Sequence, residues 1–135
     1  MSPPKNNAKT ALIVEDSPTQ AMRLEGLLAE NGMNVVWARN GEEGLHLAQT
    51  RMPDIIILDV ELPGMNGMQL AKYLKDNKYT HSIPIVLLTI LDYRETAKYG
   101  VKAEAINFIP KDAFADSVLL ETLRQRGLID KAEVE

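Results

Sequence analysis

The feature that most constrains the fold is a run of four aliphatic residues, Ile55–Leu58, which ends on the acidic residue Asp59. A strand with one face in water alternates polar and apolar side chains, whereas an unbroken aliphatic run is typical of a strand buried on both faces of a parallel sheet. Open α/β sheets bind their ligands at the carboxyl ends of the strands. The run therefore predicts a central strand that carries the Asp59 carboxylate at the ligand-binding edge.

Three other apolar runs also end on, or just before, polar side chains. The residues at or shortly after their ends are Glu15, Asp16, Thr89 and Lys111. Because the carboxyl ends of parallel strands meet at one edge of the sheet, we expect these side chains to share one cleft with Asp59. Four such endings together predict a functional site.

Predicted strands and helices alternate five times along the chain, with short joins. This order predicts one α/β domain with a parallel sheet and helices on both faces. The expected strands are 9–14, 34–38, 55–58, 83–89 and 105–109, and the expected helices begin near residues 18, 41, 68, 93 and 114. Residues 1–7 are expected to be a mobile arm, residues 8–127 the domain, and residues 128–135 a polar tail.

Local signals support the helix boundaries. Ser17 and Pro18 are typical of an N-cap and a first helical residue, and Gln20 lies where it could complete a capping box with Ser17. The segment that follows Asp59 contains two glycines and a proline, which indicates a loop with special backbone angles. It ends at Gly67, directly before the third predicted helix.

Composition excludes several classes of function. The net charge of -4 gives no basic surface for a phosphate backbone, so we expect no direct nucleic-acid partner. The absence of cysteine excludes disulfides, thiolate metal sites and cysteine nucleophiles. No apolar run approaches the ~20 residues of a membrane span, and residues 1–7 lack the apolar core of a signal peptide. We therefore expect a cytoplasmic protein with no membrane partner.

The residues at the predicted edge suit phosphoryl chemistry. Glu15, Asp16 and Asp59 would bring up to three negative charges together, which a divalent cation would offset. Mg²⁺ prefers a few carboxylates, retained waters and a phosphate oxygen, and Mn²⁺ is an alternative. Lys111 adds a positive charge and the Thr89 hydroxyl a hydrogen-bond donor. Together these groups could surround a phosphoryl group carried on Asp59.

In this order and at these strand ends, the residues resemble the response-regulator receiver domain of two-component systems, in particular its stand-alone, chemotaxis-regulator-like type. The resemblance covers residues 8–127 and includes Pro63 and Gly67 in the loop after Asp59. It implies a flavodoxin-like sheet of order 2-1-3-4-5. It also implies a phosphoacceptor rather than an enzyme, with a histidine kinase or phosphotransfer protein as the donor to Asp59.

The resemblance also assigns roles to single residues. It implies that Glu15, Asp16, Asp59 and the backbone carbonyl of Glu61 hold Mg²⁺, and that Thr89 and Lys111 contact the phosphoryl group. Phe108 lies where the family has an aromatic switch residue. A downstream protein would be contacted by the fourth helix, fifth strand and fifth helix, a face that here includes Tyr93, Arg94, Lys98, Tyr99 and Ile106.

Some positions depart from the family pattern. Ile90 follows Thr89 where a small residue is usual, and with Leu91 and Glu61 it is expected to tune access to the acceptor and the dephosphorylation rate. Proline precedes Lys111 as Pro110 instead of following it, which leaves both isomers of the Ile109–Pro110 bond open. The reach of Lys111 is therefore not determined by the sequence.

The sequence allows two alternative functions. A phosphatase of the haloacid dehalogenase type also uses a strand-end aspartate, but it requires a second aspartate where this chain has Glu61. A receiver-like module that binds a partner without being phosphorylated is the stronger alternative, although its usual sign is loss of the acceptor or of the acids. Since no output domain follows the last predicted helix, we expect either a stand-alone receiver or an excised one.

Overall fold

Five parallel strands form one sheet in the computed structural model, which describes residues 8–90 and 106–130. The strands are β1 (Thr10–Val14), β2 (Asn34–Ala38), β3 (Ile55–Asp59), β4 (Ile85–Thr89) and β5 (Ile106–Pro110). Their order across the sheet is β2-β1-β3-β4-β5, and each neighbouring pair is parallel. The predicted α/β fold and strand order are confirmed.

Helices cover both faces of this sheet. In the described part of the chain they are α1 (Pro18–Glu30), α2 (Gly41–Arg51), α3 (Gly67–Asp76) and α4 (Ala115–Gln125). Helices α1 and α4 bury their leucines on one face, and α2 and α3 pack on the other. Helix α4 is the one that the sequence placed fifth, since the helix expected near residues 93–99 lies outside the described residues. Among residues 8–90 and 106–130, no helix is both long and apolar enough to cross a membrane.

Strand β3 lies at the centre of the sheet, between β1 and β4, and all five of its residues are buried. Ile55 and Ile57 belong to the core beneath α1 and α4, whereas Ile56 and Leu58 belong to the core beneath α2 and α3. The aliphatic run is therefore unbroken because both faces of the strand pack against helices. This confirms the doubly buried central strand and fixes Asp59 at its carboxyl end.

Strand β4 begins two residues later than predicted, at Ile85 rather than Ile83. Pro84 has no N–H and therefore cannot donate to the ladder, although its carbonyl accepts the N–H of Ile56 at 3.0 Å. Ile83 is still buried, with 5% of its surface exposed. The apolar pattern thus marked buried residues correctly but placed the strand boundary too early.

The N-cap of α1 forms at Ser17 as predicted, but the capping box does not. The Ser17 hydroxyl accepts the N–H of Gln20 at 3.3 Å. The Ser17 N–H donates instead to Glu15 Oε1, at 3.1 Å, so the Gln20 side chain does not complete a capping box. A complete capping box is found at the start of α3, between Asn66 and Gln69.

Packing continues past the predicted end of the domain. Gly127 ends α4 with a φ of 72°, as expected for a C-terminal glycine. The N–H of Leu128 then donates to the Leu123 carbonyl at 2.9 Å, and Ile129 is buried with 8% of its surface exposed. The first two residues of the expected polar tail therefore pack against the core.

Candidate functional site

Three acidic side chains meet at the carboxyl edge of the sheet. Glu15 and Asp16 directly follow β1, and Asp59 is the last residue of β3. One carboxylate oxygen from each lies within 4.8 Å of the other two. Glu15 and Asp59 are 4% and 6% exposed, whereas Asp16 is open to solvent. The structure thus brings together the three carboxylates that the sequence placed in one cleft.

The Asp59 carboxylate is held from two sides. Its Oδ1 accepts the backbone N–H of Glu61 at 2.9 Å. Its Oδ2 lies 2.8 Å from the Lys111 ammonium, in an ion pair in which the Asp59 side chain is 7% exposed. Because the carboxylate is buried, solvent screens this pair less than a surface pair. One oxygen thus has a neutral donor and the other a charged one.

Lys111 directly follows β5, and its backbone extends the pairing of β4 and β5 by one hydrogen bond. Thr89 pairs with Pro110, and the Lys111 N–H donates to the Thr89 carbonyl at 3.0 Å. The described residues contain no cis peptide bond, so the Ile109–Pro110 bond is trans. The displaced proline therefore does not prevent the Lys111 side chain from contacting the acceptor carboxylate.

Glu15 is fixed through both its side chain and its main chain. Its Oε1 accepts the N–H of Ser17 at 3.1 Å, and its backbone N–H donates to the Ala38 carbonyl at 3.0 Å. Its carbonyl accepts the indole N–H of Trp37 at 2.8 Å. The sequence identified Glu15 but missed both partners: no local pattern connects Trp37 in β2 to the end of β1, and the capping rule at Ser17 did not consider Glu15 as an acceptor.

The pKa of Glu15 is raised from 4.5 to about 7, mainly by burial. A hydrogen bond with Asp59 and the charge of that carboxylate contribute to the rise, while the Ser17 N–H and the Lys111 charge oppose it. Below about pH 7 the metal-free site therefore keeps a proton on Glu15, next to Asp59. A cation bound between these carboxylates would favour the ionised form of Glu15.

The donor set fits a hard divalent cation. Its ligand atoms are carboxylate oxygens, which Mg²⁺, Mn²⁺ and Ca²⁺ accept and which soft metals do not favour. Three acids face one ammonium group, so a bound cation would offset the remaining negative charge. The exposed Asp16 leaves one side of the cluster open to water, as Mg²⁺ requires when it keeps part of its hydration shell.

The residues after Asp59 form a tight loop that ends in Gly67. The Gly67 N–H donates to the Val60 carbonyl at 2.8 Å. A Cβ on Gly67 would lie 2.7 Å from Val60 Cα and would overlap the Asp59 carbonyl oxygen. The φ of Gly67 is not positive, so a larger residue is disfavoured here by lack of space and not by the backbone conformation. The start of α3 therefore packs directly on the residue that carries the acidic side chain.

Thr89 and Ile90 lie at the end of β4. Thr89 is 3% exposed, as suits a residue that faces the site from the neighbouring strand. Ile90 is 69% exposed, so its side chain projects into solvent. The expected effects of Ile90 and Leu91 on access stay predictions, and Leu91 lies outside the described residues.

The predicted switch and contact residues on β5 differ in exposure. Phe108 is half-buried and packs against the core beneath α2 and α3. Ile106 is 4% exposed and belongs to that same core, so its expected place on a contact surface was wrong. Side chains along β5 alternate between the two faces of the sheet, and Ile106 points into the core beneath α2 and α3. The apolar run did not show which face each residue takes. The other residues assigned to that surface, 93–99, lie outside the described part of the chain.

A cleft of about 390 Å³ opens beside Lys111 and Glu15. It lies between α1 and the segment that joins β5 to α4, and its lining includes Leu24, Leu88 and Leu119. Arg23 and Asp116 also line it and form an ion pair in which Arg23 Nη1 lies 2.8 Å from Asp116 Oδ1 and 2.7 Å from Oδ2. The ion pair ties α1 to α4 next to the acidic cluster.

Known proteins are similar to this chain in sequence. The family model described as the response regulator receiver domain matches residues 11–124. Protein PilH of Pseudomonas aeruginosa is 32% identical over 108 residues, which cover 80% of this chain and 89% of PilH.

Solved structures show the same fold. The receiver domain of a signal transduction histidine kinase from Syntrophus aciditrophicus has a TM-score of 0.79 at 35% identity, over 95% of this chain and 98% of that one. The chemotaxis response regulator CheY4 of Vibrio cholerae has a TM-score of 0.77 at 29% identity, over 88% and 98%. The chain therefore belongs to the response regulator receiver domain family, the phosphoacceptor switches of two-component signalling.

Proposed function

We propose that Asp59 is the phosphoacceptor of this receiver domain. It is the one acid of the cluster that ends the central strand, and the ion pair of 2.8 Å with Lys111 is the observation that carries the proposal. Lys111 would neutralise charge on the incoming phosphoryl group, and the buried Thr89 beside it would donate from its hydroxyl. Phosphoryl transfer depends mostly on such positioning and charge neutralisation.

Receiver domains accept phosphoryl groups from histidine kinases or phosphotransfer proteins, so the proposed donor is a phosphohistidine of such a protein. An Asp59 oxygen forms the new P–O bond while the P–N bond of the donor breaks, and its electron pair stays on the imidazole. Held by Glu61 N–H and Lys111, the carboxylate is oriented before the donor arrives. This orientation lowers the entropic part of the barrier.

Glu15, Asp16 and Asp59 would hold Mg²⁺, with Mn²⁺ as an alternative, and the backbone carbonyl of Glu61 is a further proposed ligand. When bound, the cation supplies positive charge to the phosphoryl oxygens. Glu15 and Asp59 are both buried, and below about pH 7 the proton on Glu15 relieves their repulsion until a cation replaces it.

Phosphorylation of Asp59 would be read by a downstream protein through β5 and the helices beside it. Phe108 is half-buried on the α2 and α3 side of the sheet, and Leu87 is its partner in β4. A change at Thr89 could reach Phe108 through this strand pair. We therefore propose that Thr89 and Phe108 transmit the phosphorylated state.

Labelling with a small-molecule phosphodonor in the presence of Mg²⁺ tests the acceptor. Wild-type protein is expected to become labelled, and Asp59→Asn is not. Asp54→Asn is a matched control, because Asp54 precedes the same strand at its other end and accepts the Thr10 N–H at 2.8 Å. Labelled Asp59→Asn would refute the acceptor assignment. Unlabelled wild type would instead favour a binding module that is not phosphorylated.

The side chain of Glu61 is exposed, although its N–H contacts Asp59. We propose that its carboxylate borders the solvent side of the acceptor, where an attacking water would approach. We propose that Glu61→Asn changes the half-life of the phosphorylated protein, whereas Glu30→Asn, on the exposed end of α1, leaves it unchanged. An identical half-life in wild type and Glu61→Asn would contradict this.

A further inference from the structure

Trp37 makes a contact that neither the fold nor the proposed chemistry requires. It is the single tryptophan of the chain and lies in β2, one residue before the strand ends. Its ring is half-buried against the core beneath α1 and α4. Its indole Nε1–H donates to the backbone carbonyl of Glu15 at 2.8 Å.

This hydrogen bond completes the restraint on the main chain of Glu15. The register pairs Ile13 with Trp37 and Val14 with Ala38, so Glu15 lies one residue beyond the paired part of β1. The Ala38 carbonyl holds its N–H at 3.0 Å, and the indole holds its carbonyl. Without the indole, the carbonyl of Glu15 would lose the donor that orients it.

The carbonyl of Glu15 belongs to the peptide plane that joins Glu15 to Asp16. The torsions on either side of that plane, ψ of Glu15 and φ of Asp16, set the direction of the Asp16 side chain relative to that of Glu15. These are two of the three carboxylates of the acidic cluster. A hydrogen bond that restrains the plane consequently restrains the relative direction of two proposed cation ligands.

We infer that Trp37 is a positioning residue for the cation site, and that its indole N–H raises divalent-cation affinity by fixing the Glu15–Asp16 peptide. The inference rests on the proposed function, since it assumes that these acids bind a cation. If the two acids became ordered only when the cation binds, the free energy of ordering them would weaken binding. A restraint already present in the free protein therefore strengthens binding. Groups that orient metal ligands typically contribute in this way.

Two substitutions separate the hydrogen bond from the ring. Trp37→Phe keeps an aromatic ring but removes the N–H. Arg39→Ala keeps the N–H but removes the guanidinium that stacks 4.9 Å from the indole centroid. We expect Mg²⁺ to bind Trp37→Phe about three- to tenfold more weakly than wild type, as expected for the loss of one hydrogen bond, and Arg39→Ala within about twofold of wild type.

Isothermal titration with Mg²⁺ gives the dissociation constants, and NMR gives a readout that a purely structural role would not move. The chain has one tryptophan, so its indole ¹H–¹⁵N resonance is assigned without ambiguity. This resonance is expected to shift during the Mg²⁺ titration of the wild type, with the same midpoint as the Asp16 amide. In Asp16→Asn the shift should be lost or move to higher Mg²⁺ concentration.

The outcomes are distinct. An unchanged dissociation constant in folded Trp37→Phe, an equal loss in Arg39→Ala, or an indole resonance that does not move at saturation would each overturn the inference while leaving the cation site intact. If Trp37→Phe fails to fold, the wild-type titration still tests the inference, because the indole resonance must shift as Mg²⁺ binds. Failure of wild-type protein to bind Mg²⁺ at all would refute the proposed cation site, and the inference with it.

Discussion

Substitution of Gly67 by alanine is expected to move the acceptor. The new Cβ would lie 2.7 Å from Val60 Cα, whereas ordinary contacts begin at 3.4 Å, so the loop and the start of α3 must separate by several tenths of an ångström. Overpacking of this kind costs about 1–3 kcal/mol, and the better helix propensity of alanine returns up to ~1 kcal/mol. We therefore expect a loss of about 1–2 kcal/mol in the free energy of unfolding.

The effect on function should exceed the effect on stability. The same Cβ overlaps the carbonyl oxygen of Asp59, so the displacement acts on the residue proposed to be phosphorylated. Misplacement of a reacting group by about 1 Å can cost about 100-fold in rate, and because only part of the displacement has to reach the Asp59 side chain, phosphorylation should slow about tenfold. The assay compares urea unfolding with the rate of labelling by a small phosphodonor.

Gly26→Ala is the matched control. Gly26 is exposed in the middle of α1, and a Cβ there would have no atom within 4 Å. The substitution should stabilise the protein by up to ~1 kcal/mol and leave the labelling rate unchanged. Labelling of Gly67→Ala as fast as that of wild type, or a change in stability in the same direction in both alanine variants, would refute the predicted displacement of the acceptor.

The other predictions concern pH, packing and salt. Because the folded pKa of Glu15 is raised from 4.5 to about 7, its stabilising contribution without divalent cations is complete below about pH 4.5 and is lost as the pH rises through about 7. Urea unfolding in EDTA between pH 4.5 and 8 should show this decline in wild type and much less of it in Glu15→Gln. Ile129→Ala should lower the free energy of unfolding by about 2–4 kcal/mol because the side chain is buried. Ile90→Ala, at an exposed position, should change it by less than ~0.5 kcal/mol. Equal effects of the two substitutions would contradict the packing of Ile129. Arg23→Ala should cost about 0.2–1 kcal/mol at low salt and less at high salt, since both partners of its ion pair are about half exposed; a loss that does not change with salt would argue against the pair.

The sequence predicted the central strand and the acidic cluster because both depend on simple, local patterns. An unbroken aliphatic run requires two buried faces, and parallel strands bring their carboxyl ends together whatever the details of packing. Asp59, Lys111 and Thr89 therefore lie at the carboxyl edge of the sheet, where the strand pattern alone placed them.

What the sequence missed depends on a competing local acceptor in one case and on contacts between distant segments in the others. The Ser17 N–H could have bonded Gln20, but the Glu15 carboxylate took it, and a local capping rule does not weigh such a competitor. The bond from Trp37 to Glu15 exists because of the register of two strands. Ile129 was expected in a polar tail because its neighbours in the chain are mostly charged, yet it has apolar core beside it in space.

The ion pair between Lys111 and Asp59 limits where the switching energy can originate. Lys111 has a charged partner before any phosphoryl group arrives, at 2.8 Å. In the phosphorylated protein that we propose, the ammonium would exchange one anionic oxygen for another, so its contribution is only the difference between two similar bonds. A shift from 1:99 to 99:1 between two conformations needs about 5.5 kcal/mol. Most of that energy must therefore come from contacts that do not exist until the phosphoryl group is attached, and Lys111 retains the group without driving the change.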